Sequence, residues 1–134
     1  MRKIYSKCEE GSLLHIIVRK SDILGRVNVC PDEEFLQLAL IEGHSGKTFK
    51  PHKHIFCEKI TNIAQESWVV IQGRVKAILY DLDDTIISEE ILEAGDASIT
   101  FRGGHNYLFL SDNSLVYEYK TGPYLGQNLD KKMI

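Results

Sequence analysis

The sequence predicts an all-β protein, a sandwich or barrel built as one domain. Short runs rich in Val, Ile and aromatic residues recur along the chain, with turn residues separating them at close spacing. No stretch repeats apolar residues at the three-and-four spacing of an amphipathic helix. The chain has 134 residues, 43% of them hydrophobic, enough for a single core. One domain is expected over residues 1–134, with its core from about residue 12 to 120 and a C-terminal tail at 121–134.

Taken in order, Ser12–Val18 (SLLHIIV) reads as a strand, bounded by Gly11 and by Arg19-Lys20, with His15 packed and hydrogen-bonded inside it. Ser21-Asp22 marks a turn before a short strand at Arg26–Val29, and Pro31–Glu34 has the chemistry of one helical turn. Phe35–Glu42 alternates and is too short for a helix, so it reads as a strand. After the turn residues Gly43–Gly46, Lys47–His54 is extended, with Pro51 marking an edge or distorted strand. Ile55–Ala64 is an inserted loop or holds a short strand at Lys59–Ile63.

Gln65–Gln72 (QESWVVIQ) carries the strongest strand signal, and Gly73 breaks it. Alternation resumes over Arg74–Asp81, Asp81–Thr85 is a turn, and a new element starts at Ile86-Ile87. Ile91-Leu92 and Ser98–Phe101 flank the turn Gly95-Asp96. Arg102–Gly104 is a tight connection, and Tyr107–Leu110 pairs with Leu115–Tyr119 across Ser111–Ser114. The tail reads as mostly coil.

The net charge of −3, without a basic stripe, argues against nucleic acid as a partner. No apolar run approaches the about 20 residues that span a bilayer. The opening MRKIYSKCEEGS lacks the apolar core of a signal peptide, so a cytoplasmic location is expected. Three cysteines at unrelated spacings do not form a disulfide framework. Cys57 lies close to His54 in sequence, but reads first as a half-buried free thiol.

The chemistry concentrates between Gly46 and Gly73. His52 and His54 stand two apart, so on an extended strand they share a face and form half of a metal site. Gln65 and Glu66 are adjacent and point to opposite faces; Glu66 is the better ligand because a carboxylate adds charge. His105 follows a double glycine that lets its imidazole turn inward, and is the candidate fourth ligand. Histidines with one carboxylate suit a divalent transition metal, whether Fe, Mn, Ni or Zn. The bland alternative is a pocket that binds a ligand without metal. Trp68 reads as core or as a substrate platform, and Tyr107 as a packed residue or a proton donor. Lys50 and Arg102 are candidate contacts for an anionic substrate. Val69 and Ile71 beside Ser67 imply a strand covered on both faces, by a second sheet or by a second copy in a homodimer.

The pattern Gly46-x5-His52-x-His54-x11-Glu66-x6-Gly73 resembles the first motif of the cupins, with a longer spacer before the glutamate. The spacing from Glu66 to Gly73 matches the family form, which favours Glu66 over Glu58. Gly95, Gly103 and His105 resemble the second motif, with Phe101 where the family has proline. PHKH, QESWVVIQGRVKAILYD, the GGH turn and EYKTGPYLGQNLDK are similar to the small single-domain WbuC-like cupin metalloproteins. The resemblance implies a double-stranded β-helix, or jelly-roll barrel. It also implies a metal held by His52, His54, Glu66 and His105, and a sugar or sugar nucleotide of bacterial surface-polysaccharide synthesis as substrate. Isomerisation or epimerisation is the expected reaction, with His52, His54, Glu66 and Tyr107 as catalytic residues and Arg102, Trp68 and Lys50 on the substrate. The alternatives are a metal-free sugar-nucleotide ketoisomerase, an iron dioxygenase and a non-catalytic sugar-binding protein.

Overall fold

The run LLHIIV is buried at all six positions. A strand whose side chains alternate can be buried throughout only where both faces are covered. The computed structural model describes residues 1–134 and shows how that comes about. Ten strands form: β1 (Arg2–Tyr5), β2 (Leu13–Val18), β3 (Arg26–Asn28), β4 (Ala39–Ile41), β5 (Glu66–Gln72), β6 (Arg74–Tyr80), β7 (Ile86–Glu93), β8 (Ala97–Thr100), β9 (His105–Phe109) and β10 (Leu115–Lys120). One helical turn, α1 (Gln127–Asp130), follows them.

All pairings are antiparallel. The five-stranded sheet runs β1-β2-β8-β5-β10, the three-stranded sheet β7-β6-β9, and β3 pairs with β4 alone. The sheets do not close into a barrel. Two cores lie against the five-stranded sheet. In one, Ile4, Ile17 and Val70 meet Val75, Ala77 and Leu79 of β6 and Leu92 of β7. In the other, Ile16, Val18, Ile99 and Phe101 meet Val29 and Cys30, with Leu36, Leu38 and Leu40 packed alongside.

Several sequence expectations change. Tyr107–Leu110 does not pair with Leu115–Tyr119: β9 pairs with β6 and β10 with β5, in different sheets. Residues 47–54 form no strand, and residues 48–64 make no backbone–backbone hydrogen bond. Pro51 lacks a donor, and the lysines and histidines around it favour water over a buried ladder. Strand β4 covers only the end of Phe35–Glu42, because the Leu36 amide goes to Gln65 Oε1 (2.8 Å) and the Leu38 amide to Cys30 Sγ (3.3 Å) instead of a ladder. Strand β1, with only Ile4 of its residues buried, has too little apolar pattern to be read alone and exists by pairing with β2. No helix is long and apolar enough to cross a membrane. All three cysteines are free, and Cys57 is exposed where a half-buried thiol was expected.

The turns need their glycines. Gly73, between β5 and β6, has φ +83°, and a Cβ there would lie 2.3 Å from Ser114 Oγ and 2.9 Å from Ser114 Cα. Arg19 joins the sheets at one end, bonding Asp96 (2.9 Å) and Glu90 (2.8 Å).

His15 is packed and hydrogen-bonded as expected. Its Nε2 donates to the Tyr80 carbonyl at 3.0 Å, leaving Nδ1 to accept from the Thr100 hydroxyl at 3.0 Å. Burial lowers its pKa from 6.5 to about 4, with the Tyr80 carbonyl opposing. The folded state therefore prefers neutral His15, and below pH 6.5 the unfolded chain takes up the extra proton. Stability from this group is complete above 6.5 and declines as the pH falls to 4, by about 3 kcal/mol at most. Urea titrations across that range will show the slope, and His15→Asn will flatten it.

Candidate functional site

Alternation on β5 sends Glu66, Trp68 and Val70 to one face and Ser67 and Val69 to the other. Register extends the first face sideways: Glu66 stands opposite Thr100 of β8 and Lys120 of β10, and Trp68 opposite Ser98. Across the gap, β9 brings His105 and Tyr107 onto the same space. At its β6 end this space is the apolar core described above. At the other end it is polar.

The centre is a carboxylate–histidine pair. Glu66 is 6% exposed, and its Oε1 accepts from His105 Nε2 at 3.1 Å and from Trp68 Nε1 at 2.9 Å. Lys131 Nζ stands 3.7 Å from Oε2. Burial alone would raise the Glu66 pKa; His105, the Trp68 N–H and Lys131 outweigh it and hold the carboxyl at about 2. Glu66 is thus an anion at neutral pH. Because His105 uses Nε2 as donor to Glu66, its Nδ1 is left as the free ring nitrogen, and that atom is buried without a partner.

Aromatic rings wall the pair. Trp68 stacks on Tyr107 with centroids 4.0 Å apart and planes 12° from parallel, and His105 lies 5.5 Å from the Tyr107 ring. The Tyr107 hydroxyl bonds Ser98 Oγ at 2.7 Å, and burial pushes its ionisation far above the ordinary range despite that bond. Tyr107 is therefore a hydrogen-bonding hydroxyl and not a base.

The structure brings together Glu66, His105, Tyr107 and Trp68, and leaves His52, His54, Lys50 and Arg102 out. His52 and His54 are exposed on the segment without backbone bonds, their rings 5.8 Å apart, and His52 Nδ1 bonds only the nearby Lys50 carbonyl. Without a partner strand, nothing holds their shared face toward Glu66. Lys50 is exposed. Arg102 bonds Glu34 (2.9 Å) and the Leu13 carbonyl (3.2 Å), and Glu34 bonds Gln65 in turn, so its charge serves the fold. As placed, two of the four expected ligands meet and two do not, which does not make a closed metal set.

Sequence reading missed Lys131, Ser98 and Thr100. The last two had a signal, since alternate hydroxyls on a short buried strand mark a polar face. Lys131 had none. A separate group, Cys8, Asp81 and Asp83, places its ligand atoms within 4.8 Å of one another. Asp81 is already used by Ser6 Oγ (2.5 Å), the Lys7 amide (2.7 Å) and the Leu82 amide (2.7 Å), which outweigh its burial and hold it at about 2. It ties the β6–β7 turn to the β1–β2 connection. Two open grooves lie elsewhere, one along Arg19, Ser21, Ile91 and Asp96, the other along Asp32, Glu33, Glu34 and Glu58.

Comparison with protein-family models, curated proteins and solved structures found no match.

Two substitutions check the aromatic wall. Tyr107→Phe will cost about 1 kcal/mol, the worth of the Ser98 hydrogen bond. Tyr107→Ala will cost about 3–5 kcal/mol and shift the emission of Trp68, the only tryptophan, to the red. Denaturant unfolding followed by fluorescence measures both.

Proposed function

We propose that the protein binds a small, sugar-like molecule at the polar end of the space between its two larger sheets and moves a proton on it. The observation that carries this is His105 Nδ1, buried and unpartnered while Nε2 is committed to an ionised Glu66. A buried polar atom without a partner costs about 1–3 kcal/mol, and such sites call for a ligand or a function. A carboxylate that fixes the tautomer of a histidine leaves the opposite nitrogen as a base. In this reading Nδ1 takes a proton from a carbon beside a carbonyl, leaving an enediolate. It returns the proton either to the same carbon or to the former carbonyl carbon, the hydroxyl proton passing in the second case to the former carbonyl oxygen. The outcome is epimerisation or isomerisation, with no change in the oxidation state of the whole molecule. The Trp68–Tyr107 stack offers apolar ring surface of the kind a sugar ring packs on, beside the polar pair of Glu66 and His105. The five- and three-stranded sheets facing each other support the jelly-roll reading of the fold.

A second reading keeps the metal, and one observation favours it. Residues 48–64 make no backbone hydrogen bond, and β9, which carries His105, has an open edge. A strand through His52 and His54 added to that edge would bring both toward Glu66 and His105, and the metal would supply Lewis-acid chemistry there. A homodimer belongs to the same proposal, through Ile71, Tyr117 and Tyr119, which stay exposed on the β5–β10 face whose other part, at Ser67 and Val69, the second core covers.

Deuterium wash-in decides between the readings. Metal-stripped protein incubated in D2O with ketoses, aldoses and sugar nucleotides will place deuterium beside the carbonyl, detected by NMR. His105→Ala will slow this by about 10²–10⁴. Wash-in only after transition metal is restored, and lost in His52→Ala, would establish the second reading; none under either condition would sink both.

A further inference from the structure

Residues 127–134 lie against the Glu66 end of the site, yet beyond Thr121 no backbone hydrogen bond ties the chain to the two sheets. Side chains do the holding. Lys131 Nζ is 3.7 Å from Glu66 Oε2, and Asp130 is 3.8 Å from Lys120, whose ammonium also sits 3.9 Å over the Tyr124 ring. Ile134, itself more than half exposed, sets its Cδ1 against Gly104, where a Cβ would lie 2.7 Å from it and 3.2 Å from Tyr80 Cβ. Gly104 precedes His105 in sequence, and Glu66 bonds its Nε2 from the opposite sheet. The contacts thus bracket the carboxylate–histidine pair, and each can be released without breaking a strand.

We propose that residues 127–134 are a strap closing the polar mouth between the sheets, with Lys131 as its catch on Glu66. The ammonium of Lys131 takes the one carboxylate oxygen that Trp68 and His105 leave free, so a ligand bonding Glu66 Oε2 displaces it. Closure compensates the charge of a buried carboxylate that would otherwise be costly to desolvate. Opening needs the loss of two ion pairs and one apolar contact, a local event well below global unfolding. The meaning of the strap rests on the pocket being a ligand site. Its existence does not, and ligand-free protein reports it.

Trp68 bonds the same carboxylate that the catch holds, so acrylamide quenching of this single tryptophan reads the closure. In Lys131→Met and in Lys131→Met/Ile134→Ala the Stern–Volmer constant will rise about twofold or more, with cooperative unfolding retained. Salt near 1 M, where the screening length is about 3 Å, will raise the wild-type value toward that of Lys131→Met and leave the variant unchanged. Lys132→Met, at an exposed neighbour without an ion pair, will quench like the wild type. An unchanged constant in the double variant, an equal rise in Lys132→Met, or loss of cooperative unfolding would each overturn the strap. Wash-in failing while quenching responds would reject the proposed reaction and leave the strap standing.

Discussion

The pairing of β5 between β8 and β10 is the constraint on which the rest depends. It puts Glu66 opposite Thr100 and Lys120, and Trp68 opposite Ser98 and Glu118. A slip of one residue would exchange the faces, sending Glu66 into the core of Ile99 and Phe101 and Val69 into the polar cluster. The apolar demand of one face therefore fixes the chemistry of the other. Ser67 marks the cost: it lies on the apolar side, and its hydroxyl is buried without a partner.

The same space is apolar near Val75, Ala77 and Leu92 and polar near Glu66 and His105. His15 stands between the two regimes. It satisfies the Tyr80 carbonyl just before the β6–β7 turn, and a Cβ on Gly103 would lie 3.3 Å from its Nε2. Bulk at position 103 would press on the ring that holds Tyr80 in place. Gly103 is required more directly, because its φ is +80° and a Cβ there would lie 2.6 Å from the Tyr80 carbonyl oxygen; at Gly104 a Cβ would press on Tyr80 Cβ at 3.2 Å.

Much of this was legible in the residues. The alternation of QESWVVIQ and RVKAILY gave strands and faces, and parity selected Glu66 together with Trp68 for one side. His105 was readable as an inward residue from the turn before it. What could not be read was anything that depends on a distant partner. The parity of His52 and His54 is a property of a strand, and the chain forms none there. Strand β1 is made by β2, and α1 is a single turn held by side chains. Arg102 beside the GGH turn looked like a ligand contact, but Glu34, far off in sequence, claims its charge.

The segment from 48 to 64 interrupts neither core, and its internal side-chain bonds reach no farther than two residues. Closing a flexible loop costs only about 0.6 kcal/mol more for each doubling of its length. Insertions, deletions and changes of charge can therefore accumulate there while β4 and β5 stay in place. The fold thus separates a stretch whose sequence the two cores do not constrain from a buried carboxylate–histidine pair whose neighbours on three strands do.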